Sequence, residues 1–381
     1  MMQDTWKFHS ALSRNGFRCT KIELYFKSCK RKLLYFRRSI MLVQYRWNDK
    51  LLRKIWKNLY KDNPYLFPFS SWEYNKEVYA YKKIKPKTFL QKEYFLVYYN
   101  HDIPLMIMPL FIKKKTLYIF GENIGGPDNL DFIYDKNIRD EDIFSALQEL
   151  REKFHGMKLM LYKVNERSRL YQFFKEYCND KCLTDYRANI ELDRVCVKIC
   201  YPDDYDAYFH GLSKNARSNI HKIYNKLKRQ DISMELKVVH GPFKDNKLLS
   251  SLMKFYTARE SERKNRKYNF FPFIKHRYFS SLTWAIQNMN EQYTFCLMLK
   301  DKPAAFMTGF ATNFNEIVFP IVSMNSLFKQ YSPGKVMINE TIKYLQGHKS
   351  NMILDLSRGD ERYKFEMGGS EHYNYRIFLE L

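Results

Sequence analysis

Cysteine is scarce and odd in number, seven in 381 residues. An odd count cannot pair fully, and seven do not make a disulfide scaffold in a chain this long. A reducing cytoplasm is the simplest home. Long apolar runs are missing too: the longest, from Ile103 to Ile112, is far short of the ~20 residues a membrane helix needs. The amino terminus has no seven-residue apolar core, so no secretory signal is expected. No phosphate-binding P-loop, Gly-x-Gly-x-x-Gly fingerprint or Gly-x-Ser-x-Gly elbow occurs. The nine histidines show no metal-ligand spacing. Cys178, Cys182, Cys196 and Cys200 look paired, but Cys196 and Cys200 lie in a strand pattern. Four residues at about 3.3 Å each put them ~13 Å apart, too far to share a zinc ion. No metal is expected.

Acidic residues are also in short supply. Lys and Arg number 65 against 41 Asp and Glu, a net charge of +24. Such an excess points to an anionic partner: a phosphate-rich cofactor, nucleic acid or a membrane surface. Lys, Asn, Phe, Tyr and Ile are abundant, as an AT-rich coding sequence gives, so part of the excess is compositional. Residues 1–40 stand apart. Lys27, Lys30, Arg31, Lys32, Arg37 and Arg38 form a dense run interrupted by Leu33, Leu34, Tyr35 and Phe36. This basic extension could lie on an anionic membrane surface. Without clean periodicity, the preferred reading is an extension upstream of Met41, disordered or not translated.

From Met41 the pattern is globular, and the length suits two domains. Apolar spacing predicts a helix through Leu51–Tyr60, broken by Pro64 and Pro68. A hairpin is expected across His101-Asp102, joining 93–99 to 104–112. A strand 116–120, a turn at Gly125-Gly126-Pro127, a helix 141–154 and a strand 158–163 follow. A short helix 171–177 and one or two strands in 188–200 come next. The clearest helix, 213–229, has Ser213 as N-cap, with Ala216, Ile220, Ile223, Tyr224 and Leu227 on one stripe and basic residues opposite. Helices 248–259 and 276–288 are followed by a hairpin 293–300/303–312 across Asp301-Lys302. A strand 316–324, a helix 335–345 and a strand 352–356 complete the pattern. Both halves read helix, hairpin, strand, helix, strand. The fold class is α/β (α+β), with boundaries at 41–205 and 206–381.

The chemistry gathers in the last fifty residues. In Gln330-Tyr-Ser-Pro-Gly-Lys335 a proline opens a helix where its missing N–H costs nothing. Gly334 lets backbone approach a ligand, free first-turn amides and the helix dipole favour an anion, and Lys335 adds charge. Pro320, inside the preceding strand, marks an edge, a bulge or a splay that opens a slot in the sheet. The cluster Asp355, Arg358, Asp360, Glu361, Tyr363 and Lys364 follows an apolar strand, where sites gather in α/β sheets. Burial between Leu354 and Leu356 would raise the Asp355 pKa towards that of a base. Pairing with Arg358 would instead hold it ionised.

Tyr331–Lys335 followed by Asp355–Lys364 resembles the CelD/BcsL-like branch of the GNAT acyltransferases. That branch is similar in architecture to FemAB-type peptidoglycan transferases. The helix from Leu212-Ser-Lys-Asn-Ala-Arg217 onwards is similar to the Ser-Lys-x-x-Arg helix of the branch. The resemblance implies a tandem GNAT-like fold of two mixed sheets flanked by helices, the second half carrying the acyl-CoA site. It implies acetyl-CoA or another acyl-CoA as co-substrate, held at Gln330, Ser332, Gly334 and Lys335. The usual loop reads Gln/Arg-x-x-Gly-x-Gly/Ala; here Pro333 and Lys335 replace two of its small residues. The acceptor would be an amino sugar, another amine or a cell-envelope polysaccharide precursor. Asp355 or Glu361 would take its proton and Arg358 would orient it. Two alternatives stay open: an aminoacyl-tRNA-dependent FemAB-type transferase, and a non-catalytic binding protein on the same scaffold.

Overall fold

Two tight turns in this chain share one backbone conformation. His101-Asp102 and Lys300-Asp301 all have positive φ, 49° and 63° in the first turn and 49° and 58° in the second. Two left-handed residues in a row match the twist of a two-residue hairpin. Each turn joins two buried strands: β2 (Glu93–Asn100) to β3 (Ile103–Lys113), and β9 (Gln292–Leu299) to β10 (Lys302–Ala311). The second turn lies one residue before the Asp301-Lys302 expected from sequence.

The computed structural model describes residues 40–84, 88, 91–123, 128–179, 188–263, 281–346 and 352–381. The basic extension 1–40, apart from Ile40, lies outside the described residues. So do the Gly125-Gly126-Pro127 turn and residues 276–280 of one expected helix.

Around the first hairpin stand β1 (Ile40–Tyr45), α1 (Lys50–Tyr60), α2 (Trp72–Ile84), β4 (Thr116–Ile119), β5 (Ile133–Tyr134), α3 (Asp140–Lys153), β6 (Lys158–Asn165), α4 (Arg169–Asn179) and β7 (Ala188–Tyr201). Two helices follow, α5 (Tyr205–Gly211) and α6 (Lys214–Arg229). Around the second hairpin stand β8 (Met234–His240), α7 (Asn246–Arg263), α8 (Ser281–Asn288), β11 (Glu316–Met324), α9 (Pro333–Leu345), β12 (Met352–Arg358), α10 (Arg362–Glu366) and β13 (Gly369–Glu380). Apart from the two-residue β5, the second series repeats the first element by element.

The sheet order is β1-β2-β3-β4-β6-β13-β7-β12-β11-β10-β9-β8, with β5 on β3. The two mixed sheets thus meet edge to edge in one 13-stranded sheet. Each contains a parallel pair, β4 with β6 and β11 with β12. The order is symmetric about the antiparallel β13–β7 ladder. The last strand of each half has changed sides: β13 pairs with β6, and β7 pairs with β12.

The clear helical signal at 213–229 has a clear cause. Ser213 caps the Ala216 N–H, and Ala216, Ile220 and Leu227 are buried. Lys226, Lys228 and Arg229 fill the last turn, where positive charge suits the helix dipole. Tyr205 donates to Asn339 of α9, whose amide donates to Tyr224 of α6. That chain of side chains holds α6 against α9.

Candidate functional site

The parallel ladder between β11 and β12 is short. It runs only from Glu316 to Val318, opposite Ile353 to Asp355. Beyond Val318 the strands separate, and the β12-facing edge of residues 319–324 loses its partner. Pro320 lies at this divergence and supplies no N–H to a ladder. On its other side the β10 ladder shifts register between Thr308 and Phe310, so Phe319 and Pro320 bulge opposite Gly309. Sequence left edge, bulge and splay open at Pro320; bulge and splay occur together.

Three residues from three elements meet at the mouth of this gap. A Cβ built on Gly334 would sit 2.3 Å from Sδ of Met324, at the end of β11, and 3.2 Å from the ring of Tyr363, just past β12. Gly334 is therefore needed by its own neighbours. Ser332 ahead of it is left-handed (φ 43°) and Pro333 opens α9, with no acidic residue in the first turn. The matching helix of the first half, α3, begins Asp140, Glu141, Asp142. Three carboxylates repel an anion there, so of these two helix starts only α9 suits a phosphate.

Gln330, Ser332, Gly334 and Lys335 are together by chain continuity, and α6 covers them. Lys226 donates to the Gln330 carbonyl at 3.4 Å and its ammonium lies 5.2 Å over the Tyr331 ring. Tyr331 donates to Gln230 at 2.7 Å. The Lys335 ammonium is paired with Glu366 of α10, whose other oxygen takes Arg362 at 2.9 Å. A groove of about 320 Å³ opens beside this pair. Ser213, Ser218, Asn219 and Lys222 of the α6 end line it opposite Arg362 and Glu366.

The cluster after β12 is divided. Tyr363 packs on Gly334, and burial, then the charge of Glu361, pushes its phenol far above the usual value. Glu361 is partly exposed and pairs with Lys364 at 3.0 Å. Lys364 is buried and donates to the carbonyls of Leu356, Arg358 and Gly359. Arg358 donates to Asp128 at 3.0 Å, and so does not pair with Asp355. Its side chain as a whole is 41% exposed.

Asp355 faces away from the Gly334 loop, into the seam between the halves. It is 1% exposed. It accepts from the Ser357 N–H at 2.7 Å, lies 3.1 Å from His372 Nε2, and has Asn129 at 3.5 Å. Asn165 links His372 to Asn374, at 3.1 and 2.9 Å. Burial alone would raise the Asp355 carboxyl; His372 and the Ser357 amide outweigh it and hold it below the usual range. The expectation of a raised, base-like Asp355 is overturned, and its counter-group is His372 rather than Arg358. Nearby Glu316 is raised by burial, although Arg167 bonds it at 2.9 Å and lowers it. Of this seam only Asp355 was singled out from sequence. His372 and Asn374 lie in β13, which no apolar alternation announced.

A larger hollow, about 570 Å³, lies by Trp47, Arg53 and Trp72. Trp47 is stacked on both Trp72 and Tyr79, at 4.4 and 4.6 Å. Its indole is not offered to a ligand. Among the described residues no group of three His, Cys, Asp or Glu could hold a metal ion, and no helix is long and apolar enough to cross a membrane.

Two parallel strands that part at a bulge, with an anion-accepting helix start between their ends, can seat an extended thioester arm and its phosphates. Residues 214–365 match the acetyltransferase (GNAT) domain family. The fold is a tandem GNAT fold. Among solved structures, FemX is similar at TM-score 0.56 and 10% identity, over 90% of this chain and 97% of that one. A conserved protein of unknown function from Bacteroides thetaiotaomicron is similar at 0.54 and 11%, over 89% and 99%. The C-terminal domain of a putative lysylphosphatidylglycerol synthetase from Agrobacterium fabrum is similar at 0.51 and 8%, over 87% and 92%. A search of the curated proteins finds no match. At these identities the fold is what the chain shares with these structures.

Proposed function

We propose that the chain is an acyl-CoA-dependent N- or O-acyltransferase acting on an amino sugar or another cell-envelope polysaccharide precursor. The observation that carries this reading is the β11–β12 splay with Gly334 and Tyr363 at its mouth. The thioester arm enters the gap, and the diphosphate lies at the start of α9 beside Ser332 and Lys335. The CelD/BcsL-like branch is proposed on residues 331–335 and 355–364, and the boundaries 41–205 and 206–381 on the repeated element order.

The acceptor's amine or hydroxyl attacks the carbonyl carbon, and the C–S bond breaks as the new bond forms. Positioning and stabilisation of the developing oxyanion supply most of the acceleration. Glu361, partly exposed beside the mouth, takes the acceptor's proton. Tyr363 stays protonated at neutral pH, gives its proton to the departing thiolate and regains one from Glu361, which holds the acceptor's. Arg358, anchored by Asp128, turns its free edge to an anionic group of the acceptor. Asp355, enclosed by His372 and Ser357, holds the seam and takes no proton from substrate.

Calorimetric titration with acetyl-CoA tests the donor. Binding is expected; no heat at micromolar protein and millimolar ligand overturns the reading. Tyr363→Phe is expected to lower acetyl transfer to a panel of amino sugars about 10²-fold, the scale of lost general acid catalysis, with acetyl-CoA affinity retained. Unchanged turnover removes the acid role.

An aminoacyl-tRNA donor is the second reading. Lys214, Lys222, Lys228 and Arg229 are exposed on α6, above the proposed donor loop. Steeply salt-dependent tRNA binding without acetyl-CoA binding would favour it.

A further inference from the structure

We propose that the groove between the start of α6 and α10 receives a phosphate group of the donor, and that Glu366 is an internal counter-ion which the phosphate must displace from Lys335. This rests on the acyl-CoA reading and deepens it.

The groove, about 320 Å³, is lined by hydroxyl and amide side chains, Ser213, Asn215, Ser218 and Asn219, and by two cations, Lys222 and Arg362. Glu366 is its only acidic lining residue. The carboxylate of Glu366 bridges Lys335, which lies beside the groove and does not line it, and Arg362, at its exposed rim. The Lys335 side chain is 14% exposed, so its ammonium has little water of its own. One carboxylate of the groove wall therefore occupies two cations, Arg362 in the groove and Lys335 beside it. A carboxylate and a phosphate oxygen make the same charge-assisted bonds to Lys and Arg. A phosphate entering between Lys222 and Arg362 competes directly with Glu366. Lys222 makes no ion pair among the described residues, so the groove keeps one uncommitted cation with which to begin that exchange.

The arrangement has a consequence for selectivity. A singly charged anion gains little by replacing a carboxylate already in place. A diphosphate, with more charge over a longer reach, can bond Lys335 and Lys222 together.

The test uses inorganic pyrophosphate and coenzyme A as separate probes, titrated at low ionic strength into wild type, Glu366→Gln, Lys222→Ala and Glu366→Gln/Lys335→Gln. Glu366→Gln is expected to tighten pyrophosphate and coenzyme A about fivefold, the upper range of one partly exposed ion pair. Lys222→Ala is expected to weaken both, with an unchanged denaturation midpoint because Lys222 is exposed. The double variant is expected to lose the gain. If wild type binds coenzyme A and Glu366→Gln binds it no tighter, the counter-ion role is overturned while the acyl-CoA reading stands. If Glu366→Gln tightens pyrophosphate while no variant binds coenzyme A, the groove stands and the acyl-CoA reading falls.

Discussion

Gly309→Ala is expected to cost more stability than any other single methyl added to this sheet, about 3 kcal/mol or more, the upper range for overpacking. A Cβ at Gly309 would lie 1.9 Å from the Val318 carbonyl oxygen, 2.7 Å from its carbon and 2.8 Å from Cα of Phe319. All three are backbone atoms of the neighbouring strand, so no rotamer change relieves the clash. Relief requires β11 to move at the point where its bulge sets the divergence from β12. Urea denaturation of Gly309→Ala should show either a much lower midpoint or no folded baseline. Gly211→Ala serves as control, because nothing lies within 4 Å of the built Cβ there, and should stay within about 0.5 kcal/mol. A near-wild-type midpoint for Gly309→Ala would mean that the bulge is not fixed by this contact.

His372→Ala is expected to destabilise by about 3–5 kcal/mol, the cost of leaving a buried charge without its partner. His372 is 4% exposed and Asp355 1%. The pH dependence separates lost charge pairing from lost packing. The folded Asp355 carboxyl is held below its ordinary value, near 4 in an unfolded chain. Its contribution is therefore fully present above that value and is lost as pH falls through the lower, folded one. Glu316 acts in the opposite sense. Its folded carboxyl is raised by burial, so it penalises the fold as pH rises through its range. Without His372, burial dominates at Asp355 and its carboxyl shifts up. The stability gap between wild type and His372→Ala should then narrow as pH falls through the variant's raised value, above about 4, and on through the lowered wild-type value. A gap constant from pH 7 to pH 3 would assign the whole loss to packing.

The sequence made visible those elements whose residues alternate or repeat cleanly. β11 has the bounds read from it, and α6 keeps its Ser213 cap and buried stripe. β1, α2, β8 and β13 were not legible, each for a physical reason. α2 buries Asn75, Glu77 and Lys82 among its apolar residues, so no clean stripe marks it. β13 is central to the sheet but carries His372 and Asn374 inward, and reads as a polar tail. The start of α9 was legible because Pro333 encodes a helix opening locally. The partners of Asp355 were not: Asn129 and His372 approach it from distant parts of the chain, and Asn165, from a third, bonds His372. Pro320 announced a fault in its strand, whereas Gly309, which accommodates that fault, carried no signal of its own.

The exchanged strands also impose an order on assembly. β6, at residues 158–165, is completed only by β13, at residues 369–380. About two hundred residues separate the two sides of that ladder. On the ribosome, where chains emerge at roughly 5–20 residues per second, β6 waits about ten seconds or more for its partner. Until then its edge is open, and the nearest available substitute is β7 of the same half. A chain released before β13 would leave a row of unpaired amides at the middle of the sheet, where edge-to-edge aggregation begins. The strand that completes the first half is thus also the one that reports the second half has been made.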